Sequence, residues 1–214
     1  MSSRITVLLV DDHAVVREGY RRLLEVGGAI TVVGEAENAA EAYQKFCSLM
    51  PDVAVMDIAL PGVSGIEALR RILAYEPKAR VLMFSMYEDA IFVRRALEAG
   101  AAGYLTKAAA PRVLVDAVAN IASGRRFLSP DVAQMLAFQP TGSDHTTRDA
   151  LSAREFEVLK LLAEGCSLKE IAQQLGVNPK TVSNHQSSIK QKLGAETATQ
   201  LLRTAMRLGL VTPL

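Results

Sequence analysis

Along the first 124 residues, short runs of consecutive apolar, β-branched residues alternate with longer amphipathic stretches, and this alternation constrains the fold more than any other feature. Ile5–Val10, Thr31–Ala36, Val53–Ile58, Val81–Ser85 and Ala102–Thr106 read as strands. Helical spacing follows each, through Leu24, through Met50, and over about Ile66–Tyr75, Ala90–Ala99 and Arg112–Ala122. Strands apolar on both faces belong in a parallel sheet covered by helices on either side, with right-handed crossovers. The expectation is a doubly wound α/β domain of five strands and five helices.

The rhythm then stops. Gly124, Ser129–Pro130, Pro140, Gly142 and the polar run SDHTTRD, interrupted only by the short apolar piece VAQML, place an interdomain linker at 125–150. From Leu151 to the end at 214 no strand pattern remains. Ser152 with Glu155, Ser167 with Glu170 and Thr197 with Gln200 are spaced as capping boxes. Leu151 and Phe156 are placed for a hydrophobic staple, and Asn178–Pro179 offers a cap followed by a first-turn proline. A second, all-α domain of four helices is expected over 151–214.

Composition narrows the class. Half of the residues are hydrophobic and 22% are charged, which excludes disorder as the main state. No apolar run approaches the roughly 20 residues of a membrane span, and the opening MSSRITVLLVDD meets acids before any signal-like stretch matures, so a cytoplasmic protein without membrane association is expected. The two cysteines, Cys47 and Cys166, lack zinc-type spacing and read as reduced thiols. The net charge of +1 is unevenly spread: residues 1–124 carry 13 basic and 15 acidic groups, whereas 151–214 carry 8 and 5. That excess supports a polyanionic partner for the C-terminal part, although many solvated surfaces reach it.

Chemistry concentrates at strand ends. In a doubly wound sheet, ligands sit outside the carboxyl ends of the strands, where strand order reverses. Asp11 and Asp12 end the first strand and Asp57 the third, so three carboxylates are expected to converge there. Like charges that close need a cation. Oxygen-only ligands suit a hard ion, and Mg2+ is the natural one. Ser85 and Lys107 bring a hydroxyl and an ammonium to the same rim, giving a set suited to phosphoryl transfer. One aspartate at a strand end is commonly a turn or helix cap; it is the combination over four strands that points to a site. His13, with no second imidazole to pair with, is read as a cap-adjacent or surface residue.

The segments DD (Asp11–Asp12), MDIALPGVSG (Asp57 with Pro61 and Gly65), FS (Ser85) and GYLTK (Tyr104, Lys107) resemble, in order and spacing, the receiver domain of two-component response regulators. The resemblance covers 1–124 and implies a flavodoxin-like sheet of order 2-1-3-4-5. It implies that Asp57 is the phosphoacceptor, and that one Mg2+ per receiver is held by Asp12, Asp57, the Ala59 backbone carbonyl and, through water, Asp11. Lys107 and Ser85 then bind the phosphoryl group, and Tyr104 acts as the switch by rotating into space vacated when Ser85 is drawn inward. Receivers often follow the lysine with proline; here Ala108 follows.

In the C-terminal part, Val182, Ile189 and Leu193 form the core stripe of a helix over Lys180–Leu193. The opposite side carries Lys180, Asn184, Ser187, Ser188 and Gln191, flanked by Ser183 and Lys190, groups suited to groove and phosphate contacts. A preceding helix over Leu168–Leu175, burying Leu168, Ile171, Ala172 and Leu175, and the link Gly176-Val177-Asn178 complete a helix-turn-helix spacing. An ordinary solvated helix would show the same polarity. The motifs LSxRExEVL, EIAxxL, TVxxH and IxxKL, however, resemble the LuxR-type DNA-binding domain, and with the receiver they resemble the NarL/FixJ class. That implies major-groove contacts from Thr181 and Ser183 to His185, with Ser183 standing where many relatives have lysine, so that phosphate contact is expected to lean on Lys180, Lys190 and Lys192. The last helix, over Thr197–Leu208, presents Leu201, Leu202, Ala205 and Leu208 for packing or dimerisation.

The function these features imply is a DNA-binding transcription regulator, switched at Asp57 by a sensor histidine kinase and acting as a homodimer on promoter half-sites. It is not an enzyme beyond its own phosphorylation and dephosphorylation. A phosphatase-like or phosphotransferase centre, and a relay or interaction module without a DNA target, are the competing readings; no substrate pocket supports the first, and the recognition helix opposes the second.

Overall fold

The computed structural model describes residues 4–61, 63–87, 90–109, 111–138 and 151–207. The chain divides into two compact units, Met1–Gln139 and Pro140–Leu214. In the first, β1 (Ile5–Val10), β2 (Ile30–Ala36), β3 (Val53–Met56), β4 (Val81–Ser85) and β5 (Gly103–Thr106) alternate with α1 (Ala14–Glu25), α2 (Ala39–Leu49), α3 (Gly65–Tyr75), α4 (Ala90–Glu98) and α5 (Pro111–Ala122). A short β6 (Phe127–Leu128) and α6 (Pro130–Phe138) follow. All strands are parallel, in the order β2-β1-β3-β4-β5-β6.

The sheet is therefore six-stranded, not five-stranded. Gly103 pairs with Phe127 and Tyr104 with Leu128, and the Phe127 N–H donates to the Ala102 carbonyl at 3.1 Å. Both β6 and α6 fall inside the stretch expected to be linker. Two residues are too few to show a strand period, and Ser129–Pro130, read as a turn, is instead a helix start with Pro130 in the first turn. Of the expected linker, 139–150 lies outside the described residues. After α5 the described residues hold five helices rather than the expected four, α6 being the addition.

One sheet face is formed by Val7, Leu9, Val53, Val55, Leu82, Phe84 and Leu105, packed with Leu24 of α1 and Leu114, Val118 and Ile121 of α5. The alternate residues Leu8, Val10, Ala54, Met56 and Met83 are buried too, as are Phe46, Leu69, Ile72 and Phe92 of α2, α3 and α4. Each of these side chains larger than alanine contributes about 1.5–3 kcal/mol by leaving water. Local chemistry sets the helix ends: Asn38 Oδ1 accepts the Glu41 N–H at 2.9 Å to begin α2, and Met50, in the left-handed region (φ 44°), ends it.

The second unit contains α7 (Ala153–Ala163), α8 (Leu168–Gln174), α9 (Pro179–Leu193) and α10 (Ala198–Arg207). The capping boxes at Ser152/Glu155 and Ser167/Glu170 close in both directions. At the third, Thr197 Oγ1 accepts the Gln200 N–H at 3.1 Å, but Gln200 Oε1 takes the N–H of Glu196 rather than of Thr197. Leu151, Phe156, Ile171, Ala172, Val182, Ile189, Leu193 and Leu201 are buried, and Leu168, Leu175 and Leu202 half-buried. The Ala205 side chain and Leu208 lie outside the described residues. Gly176 takes φ 62°, which glycine adopts without penalty, and so turns the chain between α8 and α9. Among the described residues no helix is long and apolar enough to cross a membrane.

Candidate functional site

The carboxyl ends of β1 and β3 carry their acids just past the regular pairing. The Asp11 N–H donates to the Ala36 carbonyl and the Asp57 N–H to the Val10 carbonyl, both at 3.0 Å, so each acid is held by the last rung of the sheet. Asp11 and Asp57 are buried, whereas Asp12 faces water. Lys107, just beyond β5, anchors its N–H on the Ser85 carbonyl at 2.8 Å. Its ammonium lies 2.5 Å from both Asp11 Oδ2 and Asp57 Oδ2. Burial by itself would lower the Lys107 pKa; the charges and hydrogen bonds of Asp57 and Asp11 outweigh it and raise the pKa, keeping the ammonium charged.

The expected convergence of three carboxylates is thereby divided. Lys107 stands between Asp11 and Asp57, because two buried like charges are stable only with an opposite charge between them. Asp12 instead pairs with His13, whose Nδ1 is 2.7 Å from Asp12 Oδ1 and 3.4 Å from Asp11 Oδ1. Among the described residues, the set of ligand-type side chains with donor atoms within 4.8 Å of one another is Asp11, Asp12 and His13. His13, read from the sequence as a residue without a role, belongs to this rim. Asp57 Oδ1 accepts the Ala59 N–H at 3.2 Å. Predominantly anionic oxygen donors at one strand-end rim suit a hard divalent cation.

Ser85 is fully buried and its Oγ accepts the Tyr87 N–H at 3.4 Å. Tyr104 is also fully buried, its hydroxyl donating to the Tyr87 carbonyl at 2.7 Å. The residue expected to rotate inward therefore already occupies an interior position.

Arg17 and Glu35, which no sequence motif singles out, brace the acid rim. Arg17 donates to the Asp11 carbonyl at 2.6 Å and, through Nε, to Glu35 Oε2 at 2.9 Å; Arg21 adds a bond to Glu35 Oε1 at 2.8 Å. Burial opposes ionisation of Glu35, but these guanidinium bonds hold its pKa below the usual carboxylate value. The available signal was Arg17 and Arg21 at i, i+4 on one face of α1.

In the second unit, α9 is capped by Asn178, whose Oδ1 accepts the Lys180 N–H at 2.9 Å, and ends at Gly194 (φ 63°). Val182, Ile189 and Leu193 are buried, as the periodicity required. Lys180, Asn184, Ser187 and Gln191 are exposed; Thr181, Ser183, His185 and Lys190 are half-buried. Ser187 Oγ donates back to the Ser183 carbonyl at 3.0 Å. Ser188, expected on the free face, turns inward: its hydroxyl donates to Glu155 Oε1 of α7 at 2.6 Å. At 100° per residue it sits about 120° from the buried stripe, on the same flank as Lys192, and that flank meets α7.

A doubly wound sheet with an acid-lysine rim, joined to a helical unit with a helix-turn-helix, defines a class. Residues 7–119 match the response regulator receiver domain, and residues 149–205 match the bacterial regulatory proteins of the luxR family. The chain belongs to this family: it is a response regulator of the two-component type, a DNA-binding transcription regulator and not an enzyme. It is 39% identical over 208 residues to the transcriptional activator protein ExaE of Pseudomonas putida, covering 96% of this chain and 97% of ExaE. It is 36% identical over 208 residues to the response regulator UvrY of Escherichia coli (strain K12), covering 96% and 95%. A solved structure of two RcsB dimers bound to two parallel DNAs superposes with a TM-score of 0.61 at 29% identity, covering 95% of this chain and 98% of that one.

Proposed function

We propose that Asp57 receives a phosphoryl group from the phosphohistidine of a sensor kinase and that this charge controls DNA binding by α9. The Asp57 carboxylate oxygen attacks phosphorus in line, the phosphorus–nitrogen bond breaks with its electron pair retained by the imidazole, and an acyl phosphate forms. Lys107, already bonded to Asp57, holds the arriving phosphoryl oxygens, and the Ser85 hydroxyl lies on the neighbouring strand end to take another. Asp11, Asp12, Asp57 and the Ala59 carbonyl would hold Mg2+, which when bound neutralises phosphoryl charge. The repacking reaches Tyr104, whose hydroxyl is tied to the β4–α4 connection at Tyr87.

The phosphorylated protein acts as a homodimer in the cytoplasm. Lys180, Thr181, Ser183, Asn184, His185, Ser187, Lys190 and Gln191 meet the major groove of paired promoter half-sites. The receiver, extended by β6 and α6, ends by 139, and the DNA-binding domain begins at 151. The observation that carries this reading is the buried Lys107 ammonium bonded to both Asp57 and Asp11. The test is Asp57→Asn: wild-type protein with acetyl phosphate and Mg2+ gains one phosphoryl group by mass spectrometry and binds DNA more tightly, and the variant does neither. Uptake by the variant at the wild-type rate would overturn the assignment.

A further inference from the structure

The Glu155 carboxylate serves two purposes. Within α7 it closes the capping box, accepting the Ser152 N–H on Oε2 at 2.6 Å. The same carboxylate leaves its own helix: Ser188 Oγ donates to Oε1 and Lys192 Nζ to Oε2, each at 2.6 Å. Glu155 is 4% exposed. A capping box asks only for an acceptor, and glutamine supplies one as well as glutamate does. Neither charge nor a partner on another helix is needed for the cap, yet Glu155 has both. Burial opposes its ionisation, but the bonds from Lys192, Ser188 and Ser152 hold its pKa at about 2, so it is charged at neutral pH.

Ser188 and Lys192 are one turn apart on a single flank of α9, whereas Asn184, Ser187 and Gln191 point elsewhere. Pinning that flank fixes the rotation of α9 about its axis. A roll of about 20° would move an outward side chain by about 2 Å, enough to break hydrogen bonds to base edges.

We propose that Glu155 is a positioning residue for DNA recognition, setting the rotation of α9 through Ser188 and Lys192 and withdrawing both from the DNA-contacting set. The inference rests on the assignment of α9 as the recognition helix. Lys192 is then a structural cation, although it looks from the sequence like one more phosphate contact.

The test uses full-length protein and a DNA duplex enriched by the wild-type protein from a randomised pool, with affinity measured by fluorescence anisotropy over a series of salt concentrations. Glu155→Gln keeps the cap acceptor and is expected to weaken binding about tenfold. Lys192→Met weakens it similarly with an unchanged salt slope, the double variant is no weaker than Glu155→Gln alone, and Lys192→Arg restores affinity. Wild-type affinity in Glu155→Gln would overturn the proposal. So would a salt slope reduced by about 1 in Lys192→Met, the signature of a lost phosphate contact. If circular dichroism shows Glu155→Gln unfolded, Lys192→Met, altered at a more exposed side chain, decides alone by the same two criteria. Asn184→Ala separates the two levels: weakened binding there with unaffected Glu155→Gln defeats only the positioning role, whereas wild-type binding in both defeats the recognition-helix assignment as well.

Discussion

A Cβ placed on Gly65 would stand 1.9 Å from the carbonyl oxygen of Asp57 and 3.1 Å from Ile58 Cα. Both are backbone atoms and cannot swing away. Gly65 opens α3, its N–H donating to the Ile58 carbonyl at 3.0 Å, so the helix begins directly against the chain that carries Asp57. Gly65→Ala is expected to destabilise the first unit by about 2 kcal/mol or more through overpacking, read as a lowered urea midpoint. It should also slow phosphoryl uptake from acetyl phosphate, because the Asp57 backbone must shift. Unchanged stability would show that the helix start yields more easily than this contact implies. The acids, Ser85 and Lys107 were legible as residues because each ends a strand, and strand ends follow from the apolar period. The Gly65 contact was not, since it depends on a loop folding back over eight residues.

At the scale of elements, β6 and α6 attach themselves to the strand that carries Tyr104 and leads into Lys107. The Ser129 N–H donates to the Tyr104 carbonyl at 3.4 Å, and the Thr106 hydroxyl donates to Asp131 Oδ2 at 3.3 Å. Asp131, in the first turn of α6, also meets the favourable end of the helix dipole. Asp131→Ala is therefore expected to loosen α6 by about 1 kcal/mol, with amide exchange over 131–138 roughly fivefold faster and β1 to β4 unaffected. Equal protection in the variant would mean that packing alone retains the helix. This part of the fold was hidden in the sequence: a two-residue strand has no period, and Ser129–Pro130 serves a turn or a helix start equally well. The capping boxes were readable because a cap is local. The third shows the limit, Gln200 choosing the N–H of Glu196 over that of Thr197.

For the whole molecule, two units with separate cores should melt as two calorimetric transitions, with different acid sensitivity. Glu155 has a folded pKa of about 2 against an ordinary value of 4.5. Its stabilisation is complete above the unfolded value and is lost as pH falls from about 4.5 toward 2. Screening at the water-facing Lys192 leaves about 2 kcal/mol at neutral pH. The transition of the second unit should thus be higher in the wild type than in Glu155→Gln at pH 7, the two converging near pH 2; a constant gap across that range would assign the stability to something other than the charge.

Short-range pattern encodes the strand and helix periods, the two-unit division, the local caps, and the family through motifs at strand ends and in the helix-turn-helix. Packing in three dimensions sets the rest: Lys107 stands between Asp11 and Asp57, His13 joins the acid rim, β6 extends the sheet, and Ser188 faces Glu155 rather than solvent. Periodicity states which side of an element is apolar. Which polar group a half-buried side chain meets is set by sheet order and by the flank one helix presents to another, and burial makes such pairings obligatory.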